Sequence, residues 1–315
     1  MPFSLSRRAF RCVAFCLSFL FFPCCLFAAD AEGLPPFAPE REEFFQPLFF
    51  EDGSGDVQLN EEEKLDLRCL LSVYPAIRRI AAESDGSVLL IMADGSRVPY
   101  RSVPPAADDV KASMAQPYPP EPLRPPTPAG FAPGRVRSAA LLAALYGESQ
   151  TDVRSRLVAV PFVQGTVVMH WRAVGPLMNV TARLQAALRE DPSLRPWLKS
   201  DGGFAWRRIA GETRLSAHAR GIAVDISARR APYWRWSKVR PHPLQQTYPA
   251  AIVRAFEEEG FIWGGKWHEY DIMHFEYRPE LLCKARVTQG AAAGRGAGEA
   301  PTGTGEGNTL PCEGL

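Results

Sequence analysis

Residues 216–225 read SAHARGIAVD and residues 271–276 read DIMHFE, and these two stretches determine how the rest of the chain is interpreted. Catalytic zinc typically takes three protein ligands from His and carboxylate side chains and keeps a fourth position for water. His218, Asp225 and His274 can supply three such ligands. Neither stretch contains Cys, so a Cys-rich structural zinc site is excluded here. The two stretches therefore predict a zinc site with an open position.

The spacing within each stretch predicts how the chain bends around this site. Gly221 lies between the first two candidate ligands, and a turn through glycine can bring their side chains together. Asp271 and His274 are three residues apart, so on a regular strand they would point to opposite faces. We therefore expect Asp271 in a loop that enters a short strand over residues 274–277, with His274 and Glu276 facing the cleft.

The remaining polar residues near the two stretches have several interpretations. Asp271 is the candidate base that moves protons, with Glu269 and Glu276 as nearby alternatives. Ser216 has no base that the sequence positions to make it a nucleophile, so we expect it to support the site or to contact substrate. His268 is either a supporting or substrate-binding group or a solvated loop residue.

The two stretches resemble the D-alanyl-D-alanine carboxypeptidase family of zinc peptidases, within the LAS-type group that includes bacterial cell-wall peptidases and the hedgehog signalling domain. The strings S-x-H-x-x-G-x-A-x-D and D-x-x-H-F-E both occur in the family's order, and the resemblance covers about residues 138–282. It implies that His218, Asp225 and His274 bind zinc and that Asp271 is the general base. In the carboxypeptidase and dipeptidase branches this acid is usually Glu, whereas Asp is more similar to the L-alanyl-D-glutamate endopeptidases of phage endolysins.

Two arginines precede the first stretch. Arg207 and Arg208 follow Trp206, and a planar guanidinium can grip a carboxylate of a cell-wall peptide at two points. We hypothesise that one of the two arginines orients the substrate and helps to polarise the scissile carbonyl. Similarity to the family's W-R pair favours Arg207. The alternative is a surface arginine on an edge strand.

The N-terminus has the features of an export signal. Residues 1–29 contain a basic flank, an apolar run and a small-residue end. The run is short for a membrane span and is interrupted by Pro23. We expect cleavage near Ala28 or Ala29, with a retained anchor as the alternative, and no stable membrane span after cleavage. Export and a cell-wall substrate together predict a location in the periplasm or cell envelope.

Composition limits the other classes of function. The chain has 315 residues of which 46% are apolar, enough to build a buried core. Its 36 basic and 35 acidic residues show no polybasic patch, so nucleic acid is not an expected partner. Signal cleavage leaves Cys69, Cys283 and Cys312, an odd number that cannot form a disulfide framework. The three cysteines are compatible either with one disulfide bond or with buried free thiols.

The sequence predicts an α+β fold: a small antiparallel sheet that carries the zinc site, flanked by helices, with an N-terminal helix and hairpin module packed against it. The helix is predicted over 61–82, with Tyr74-Pro75 as a point where it breaks or kinks, and the hairpin over 87–100. The predicted divisions are a signal peptide over 1–29, the N-terminal module over 30–103, a Pro-rich connector over 104–137, the zinc peptidase domain over 138–288 and a disordered tail over 289–315.

Within the zinc peptidase domain, hydrophobic patterns predict the elements around the site. Helices are expected over 138–146, 174–190 and 248–260, a strand pair over 157–168 and a buried strand over 261–263. The aromatic run 233–236 is expected either to line a substrate groove or to pack in the core.

The function expected from the sequence is hydrolysis of peptide bonds in peptidoglycan stem peptides by an exported, Zn²⁺-dependent peptidase. The peptide bond that is cut is either the one cleaved by D,D-carboxypeptidases or the one cleaved by L-Ala-D-Glu endopeptidases. The alternative is a catalytically silent peptidoglycan-binding module with a structural zinc.

Overall fold

The computed structural model describes residues 58–119 and 127–296, the last six of these by their backbone alone. The described residues lie in one compact unit and combine helices with small antiparallel sheets. The predicted export signal lies outside them. No helix among the described residues is both long enough and apolar enough to cross a membrane.

The first helix is shorter than the sequence predicted. Helix α1 spans Glu61–Val73 and ends at Tyr74, which has φ −119° and ψ 87°. Tyr74 precedes Pro75, and the ring of a proline disfavours the helical conformation of the residue before it. The prediction of a helix up to residue 82 is wrong, because strand β1 spans Ile77–Ala82.

Strand β1 forms a small sheet with the two strands that follow it. Strand β2 spans Val88–Met92 and strand β3 spans Arg97–Arg101, and the order β1-β2-β3 is antiparallel throughout. A short helix, α2 (Val110–Met114), follows in the Pro-rich segment.

The next elements are three helices and a strand pair. Helix α3 begins after Ser138, whose side chain accepts from the backbone N–H of Leu141. The predicted strand pair over 157–168 and helix over 174–190 are confirmed. These elements are α3 (Ala139–Tyr146), α4 (Gln150–Arg154), β4 (Leu157–Phe162), β5 (Gly165–His170) and α5 (Val174–Glu190), with β4 and β5 antiparallel.

A four-stranded antiparallel sheet carries the two sequence stretches. Its order is β6-β7-β9-β8, and the predicted buried strand over 261–263 is confirmed as β8. Its strands and the helices around them are β6 (Ser200–Gly202), β7 (Ala223–Ile226), α6 (Leu244–Thr247), α7 (Ala250–Glu258), β8 (Phe261–Trp263), β9 (His274–Tyr277) and α8 (Pro279–Gly296). Because α8 continues to Gly296, the first residues of the predicted tail are helical, and residues 297–315 lie outside the described ranges.

Two hydrophobic clusters hold these layers together. The first combines side chains of the N-terminal elements, such as Leu67 and Tyr100, with Leu141, Trp267 and Leu282. The second fills the space between α5, α7 and the four-stranded sheet. The N-terminal elements therefore share a core with residues next to the site, on both sides of the Pro-rich segment.

A disulfide bond joins α1 to α8. Cys69 and Cys283 are bonded, with their Cα atoms 5.6 Å apart and a separation of 214 positions in the sequence. Both cysteines are buried in the first hydrophobic cluster. The choice that the sequence left open between a bridge and free thiols is thus resolved in favour of one bridge.

Removal of this bridge is expected to lower the free energy of unfolding by about 2–5 kcal/mol, since the bond constrains the unfolded chain over a long loop. Thermal unfolding of a Cys69→Ala/Cys283→Ala variant measures the change. Reductant should bring the wild type to the melting temperature of the variant and leave the variant unchanged. Equal melting temperatures without reductant would contradict the assignment.

Candidate metal centre

A tight turn presents the first candidate ligand. Residues 217–220 form one 3-10 turn that begins after Ser216, whose hydroxyl accepts from the backbone N–H of His218 at 3.4 Å. Gly221 closes the turn with φ 66°, a left-handed conformation that favours glycine. A Cβ atom at Gly221 would lie 2.8 Å from the backbone nitrogen of His170. The turn through glycine therefore occurs where the spacing predicted it, and β7 follows at once.

Strand pairing brings the other two candidate ligands to the same place. Asp225 on β7 and His274 on β9 are directly opposite each other in the antiparallel register. Asp225 Oδ1 lies 3.1 Å from His274 Nδ1 and 3.2 Å from His218 Nε2, and the two nitrogens are 3.2 Å apart. Among the described residues, these three make up the one group of His, Cys, Asp and Glu side chains that is close enough to hold a metal ion.

Each imidazole has one nitrogen that faces the group and an outer nitrogen that faces away from it. The hydrogen-bond partner of the outer nitrogen indicates which nitrogen is available to a metal. His218 Nδ1 lies 2.7 Å from the carbonyl oxygen of Gly203, and His274 Nε2 lies 3.4 Å from Glu276 Oε2. These oxygens only accept hydrogen bonds, so each outer nitrogen carries the hydrogen. The lone pairs of His218 Nε2 and His274 Nδ1 then point at Asp225 Oδ1. A cation balances these acceptors, either a second proton on an imidazole in the metal-free protein or a metal ion in its place.

The electrostatics and the spacing both suit zinc. Burial alone would raise the pKa of Asp225 and lower that of His274. The charges and hydrogen bonds of His218 and His274 instead hold the pKa of Asp225 well below its usual range, and hydrogen bonds to Asp225 and Glu276 raise the pKa of His274 to about 9. The site thus favours positive charge. Tetrahedral zinc with bonds of about 2.0–2.1 Å separates its ligand atoms by about 3.3 Å, close to the separations seen here.

Asp271 lies in the loop that leads into β9, as predicted. Its backbone N–H donates to the carbonyl of Gly264 at 2.9 Å, which fixes the loop beside the three candidate ligands. Its Oδ1 is buried and has no hydrogen-bond partner within the described ranges. Burial raises the pKa of Asp271 to about 6; Asp225 also raises it, while the charges of His274 and His218 act in the opposite direction. This carboxylate is placed to exchange protons near neutral pH.

The other residues singled out in the sequence lie around the group but do not join it. His268 is held by the preceding segment, with Nδ1 3.0 Å from the carbonyl of Thr127. Arg207 and Arg208 both have exposed side chains on the stretch that pairs with the start of the 217–220 turn. The Arg208 guanidinium donates to the carbonyl of Thr213, whereas that of Arg207 has no hydrogen-bond partner among the described residues.

His170 and the aromatic run fall outside the group as well. His170 is fully buried, and burial followed by the charges of nearby arginines lowers its pKa to about 4, as expected for a neutral structural histidine. Within the run, Trp234 packs against the second hydrophobic cluster, while Trp236 is 71% exposed. Packing in the core thus applies to Trp234 and not to Trp236.

Two buried residues beside the group were not found from the sequence. Arg137 grips Glu276: its Nε donates to Oε1 at 2.7 Å and a terminal nitrogen donates to Oε2. The Trp267 ring lies 5.7 Å from that of His274, with the Arg135 guanidinium 5.6 Å from its centre. The only sequence signal was the pair of arginines just before α3, because nothing in the spacing ties Arg137 to a Glu 139 residues away.

Two imidazole nitrogens, one carboxylate oxygen and an adjacent free carboxylate together define a candidate mononuclear metal centre of the kind that hydrolases use. The family model described as D-alanyl-D-alanine carboxypeptidase matches residues 210–277, a range that contains all four groups. The match confirms the family resemblance over this range. Comparisons with curated proteins and with solved structures give no match. Arg137, Arg207 and Arg208 lie outside the matched range.

The metal-free protein is expected to bind one equivalent of Zn²⁺ and to melt at a higher temperature once loaded, since binding to the folded state stabilises it. Asp225→Ala removes the oxygen that faces both imidazoles and should abolish stoichiometric binding in equilibrium dialysis. His268→Ala, which alters a histidine outside the group, should retain one equivalent. Full binding by Asp225→Ala would rule out this centre.

Proposed function

We propose that this protein is an exported zinc metallopeptidase that hydrolyses peptide bonds in peptidoglycan stem peptides, of the D,D-carboxypeptidase or the L-Ala-D-Glu endopeptidase type. The observation that carries the proposal is the convergence of His218 Nε2, Asp225 Oδ1 and His274 Nδ1 beside Asp271. All four residues lie within the range that matches the D-alanyl-D-alanine carboxypeptidase model. The N-terminal sequence supports export to the periplasm or cell envelope.

The three converging side chains would hold the zinc ion. When bound, zinc would supply Lewis-acid activation of a water molecule and of the scissile carbonyl. The protein's own contribution at this point is to hold the far ring nitrogen of each imidazole and so to aim the ring, through the Gly203 carbonyl behind His218 and the Glu276 carboxylate behind His274. An acceptor that hydrogen-bonds the far nitrogen of a metal-binding histidine fixes the orientation of its ring.

Asp271 acts as the general base in this proposal. Its Oδ1 is free to accept a proton from the attacking water, and a pKa of about 6 suits proton transfer near neutral pH. Asp271 then passes the proton to the leaving amine. The two other acids considered from the sequence are less suited, since Glu276 is held by Arg137 and Arg278 and Glu269 is exposed.

Arg207 is the proposed contact for a substrate carboxylate. Its guanidinium is exposed and has no partner among the described residues, whereas that of Arg208 is occupied by the Thr213 carbonyl. An exposed planar guanidinium on the stretch that pairs with the start of the 217–220 turn suits two-point binding of a carboxylate. Ser216 supports the turn that carries His218. His268 is partly buried with Nδ1 held by the Thr127 carbonyl, so a role in substrate binding would use the other edge of its ring.

The test is incubation of defined muropeptides with the zinc-loaded mature protein, followed by mass spectrometry. Asp271→Asn keeps the shape of the side chain but removes the base, so turnover should fall by about 10²–10⁴-fold while zinc binding is retained. Glu269→Gln, an exposed acid two residues away, is the matched control and should keep full activity.

The products decide between the two reaction types. Loss of one terminal alanine identifies a carboxypeptidase, and cleavage within the stem peptide identifies an endopeptidase. In the same assay Arg207→Ala should reduce turnover and Arg208→Ala should not; no loss from either variant would refute the role of Arg207. Zinc-loaded wild type that binds muropeptides without cleaving them would instead indicate a silent wall-binding module.

A further inference from the structure

The carboxylate behind His274 is itself held from several directions. Glu276 is fully buried on the same face of β9 as His274, two residues further along the strand. Arg137 donates to both of its oxygens, and Arg278 Nη1 lies 3.6 Å from Oε1. The oxygen that faces the imidazole, Oε2, is therefore fixed by the guanidinium on its other side.

Arg137 is also fixed. Its guanidinium is buried, and its Nη1 donates to the backbone carbonyl of Arg135 at 3.2 Å. The two-point geometry sets the plane of the Glu276 carboxylate as well as its position, since a planar fork matches a carboxylate at two oxygens. Neither partner can rotate without breaking a buried, charged hydrogen bond.

Stability alone is not a sufficient reason for a buried ion pair of this type. The cost of removing two charges from water often exceeds their attraction, and well-packed apolar side chains would serve a core at least as well. What the Arg137–Glu276 pair provides at this position is an acceptor in a fixed place behind His274 Nε2. That acceptor determines which imidazole nitrogen carries the hydrogen and which one faces Asp225 and His218.

We propose that Arg137 is a positioning residue for the metal ligand His274, acting through Glu276 to present Nδ1 to the metal. The proposal rests on the metal site described under the proposed function. It adds that the site depends on a residue outside the family-matched range 210–277, delivered by the segment that leads into α3.

The first readout is the zinc dissociation constant, measured by competition with a chromogenic chelator. Arg137→Met keeps an unbranched apolar side chain but removes the grip on Glu276, and should weaken zinc binding about 10–100-fold. Arg101→Met is the matched control: it removes a 2.6 Å ion pair to another buried carboxylate, Glu63, in the N-terminal elements. Its zinc dissociation constant should stay within about twofold of wild type.

The second readout is the protonation of His274, which a general loss of stability would not change. Long-range ¹H–¹⁵N correlation spectra of histidine-labelled, zinc-loaded protein resolve both nitrogens of each ring, and the chain has five histidines. In the wild type His274 should carry its hydrogen on Nε2 and bind zinc through Nδ1. In Arg137→Met the pair of His274 signals should shift or broaden as the ring loses its fixed acceptor.

Three outcomes would overturn the proposal. A folded Arg137→Met variant with wild-type zinc affinity would do so, and so would an equal loss of affinity in Arg101→Met. If Arg137→Met does not fold, Arg137→Lys decides, because a lysine keeps the charge but cannot span both oxygens. Arg137→Lys should bind zinc several-fold more weakly than wild type, and wild-type affinity would overturn the proposal.

The zinc-binding measurements distinguish a failure of the proposed metal site from a failure of the positioning role alone. A wild-type protein that binds no zinc would overturn the metal site, and the role of Arg137 with it. Tight binding by wild type with unchanged binding by both Arg137 variants would overturn the positioning role alone.

Discussion

Three lone pairs, one from each of His218, Asp225 and His274, point at one place, and a cation must balance them. This constraint depends on two short-range features and one long-range pairing. Gly221 closes the turn that presents His218, β7 carries Asp225 away from that turn, and β9 pairs with β7 so that His274 lies opposite Asp225. Any shift of register by one residue would turn one ligand to the other face of the sheet.

The contacts that hold the three ligands in place extend to the N-terminal elements. Behind His274, Glu276 contacts Arg137 and Arg278, and Arg278 Nε continues to Glu280 at 2.5 Å. Tyr74 at the end of α1 donates to the same Glu280 at 2.6 Å. A line of buried charges and hydrogen bonds thus connects the candidate metal centre to the first helix, and the disulfide bond ties that helix to α8. The N-terminal elements and the centre are thus joined by direct contacts within one packed structure.

The parts that the sequence predicted correctly are local. Apolar periodicity located α5, β8 and the β4–β5 pair, and the spacing of the two stretches predicted the turn at Gly221 and the loop position of Asp271. The three candidate ligands, which the structure brings together, came from the residue types and the family resemblance. A glycine turn and a two-residue strand period act over a few residues and can be recognised without the fold.

The parts that were missed or left open depend on distant contacts or on competing local signals. The end of α1 was set by Pro75, whose effect on Tyr74 outweighed the apolar residues beyond it. Arg137 and Glu276 are 139 residues apart, and Cys69 and Cys283 are 214 apart, so no spacing links them. The charged residues that orient the site are thus the ones that a single sequence reveals least.

The most direct measurement of the central claim is a crystal structure of the zinc-loaded protein with anomalous data collected at the zinc edge. The account predicts one anomalous peak about 2.0–2.2 Å from His218 Nε2, Asp225 Oδ1 and His274 Nδ1, with His274 Nε2 still facing Glu276. A peak elsewhere in the molecule, or one bound by His274 Nε2 with the ring turned away from Glu276, would contradict it.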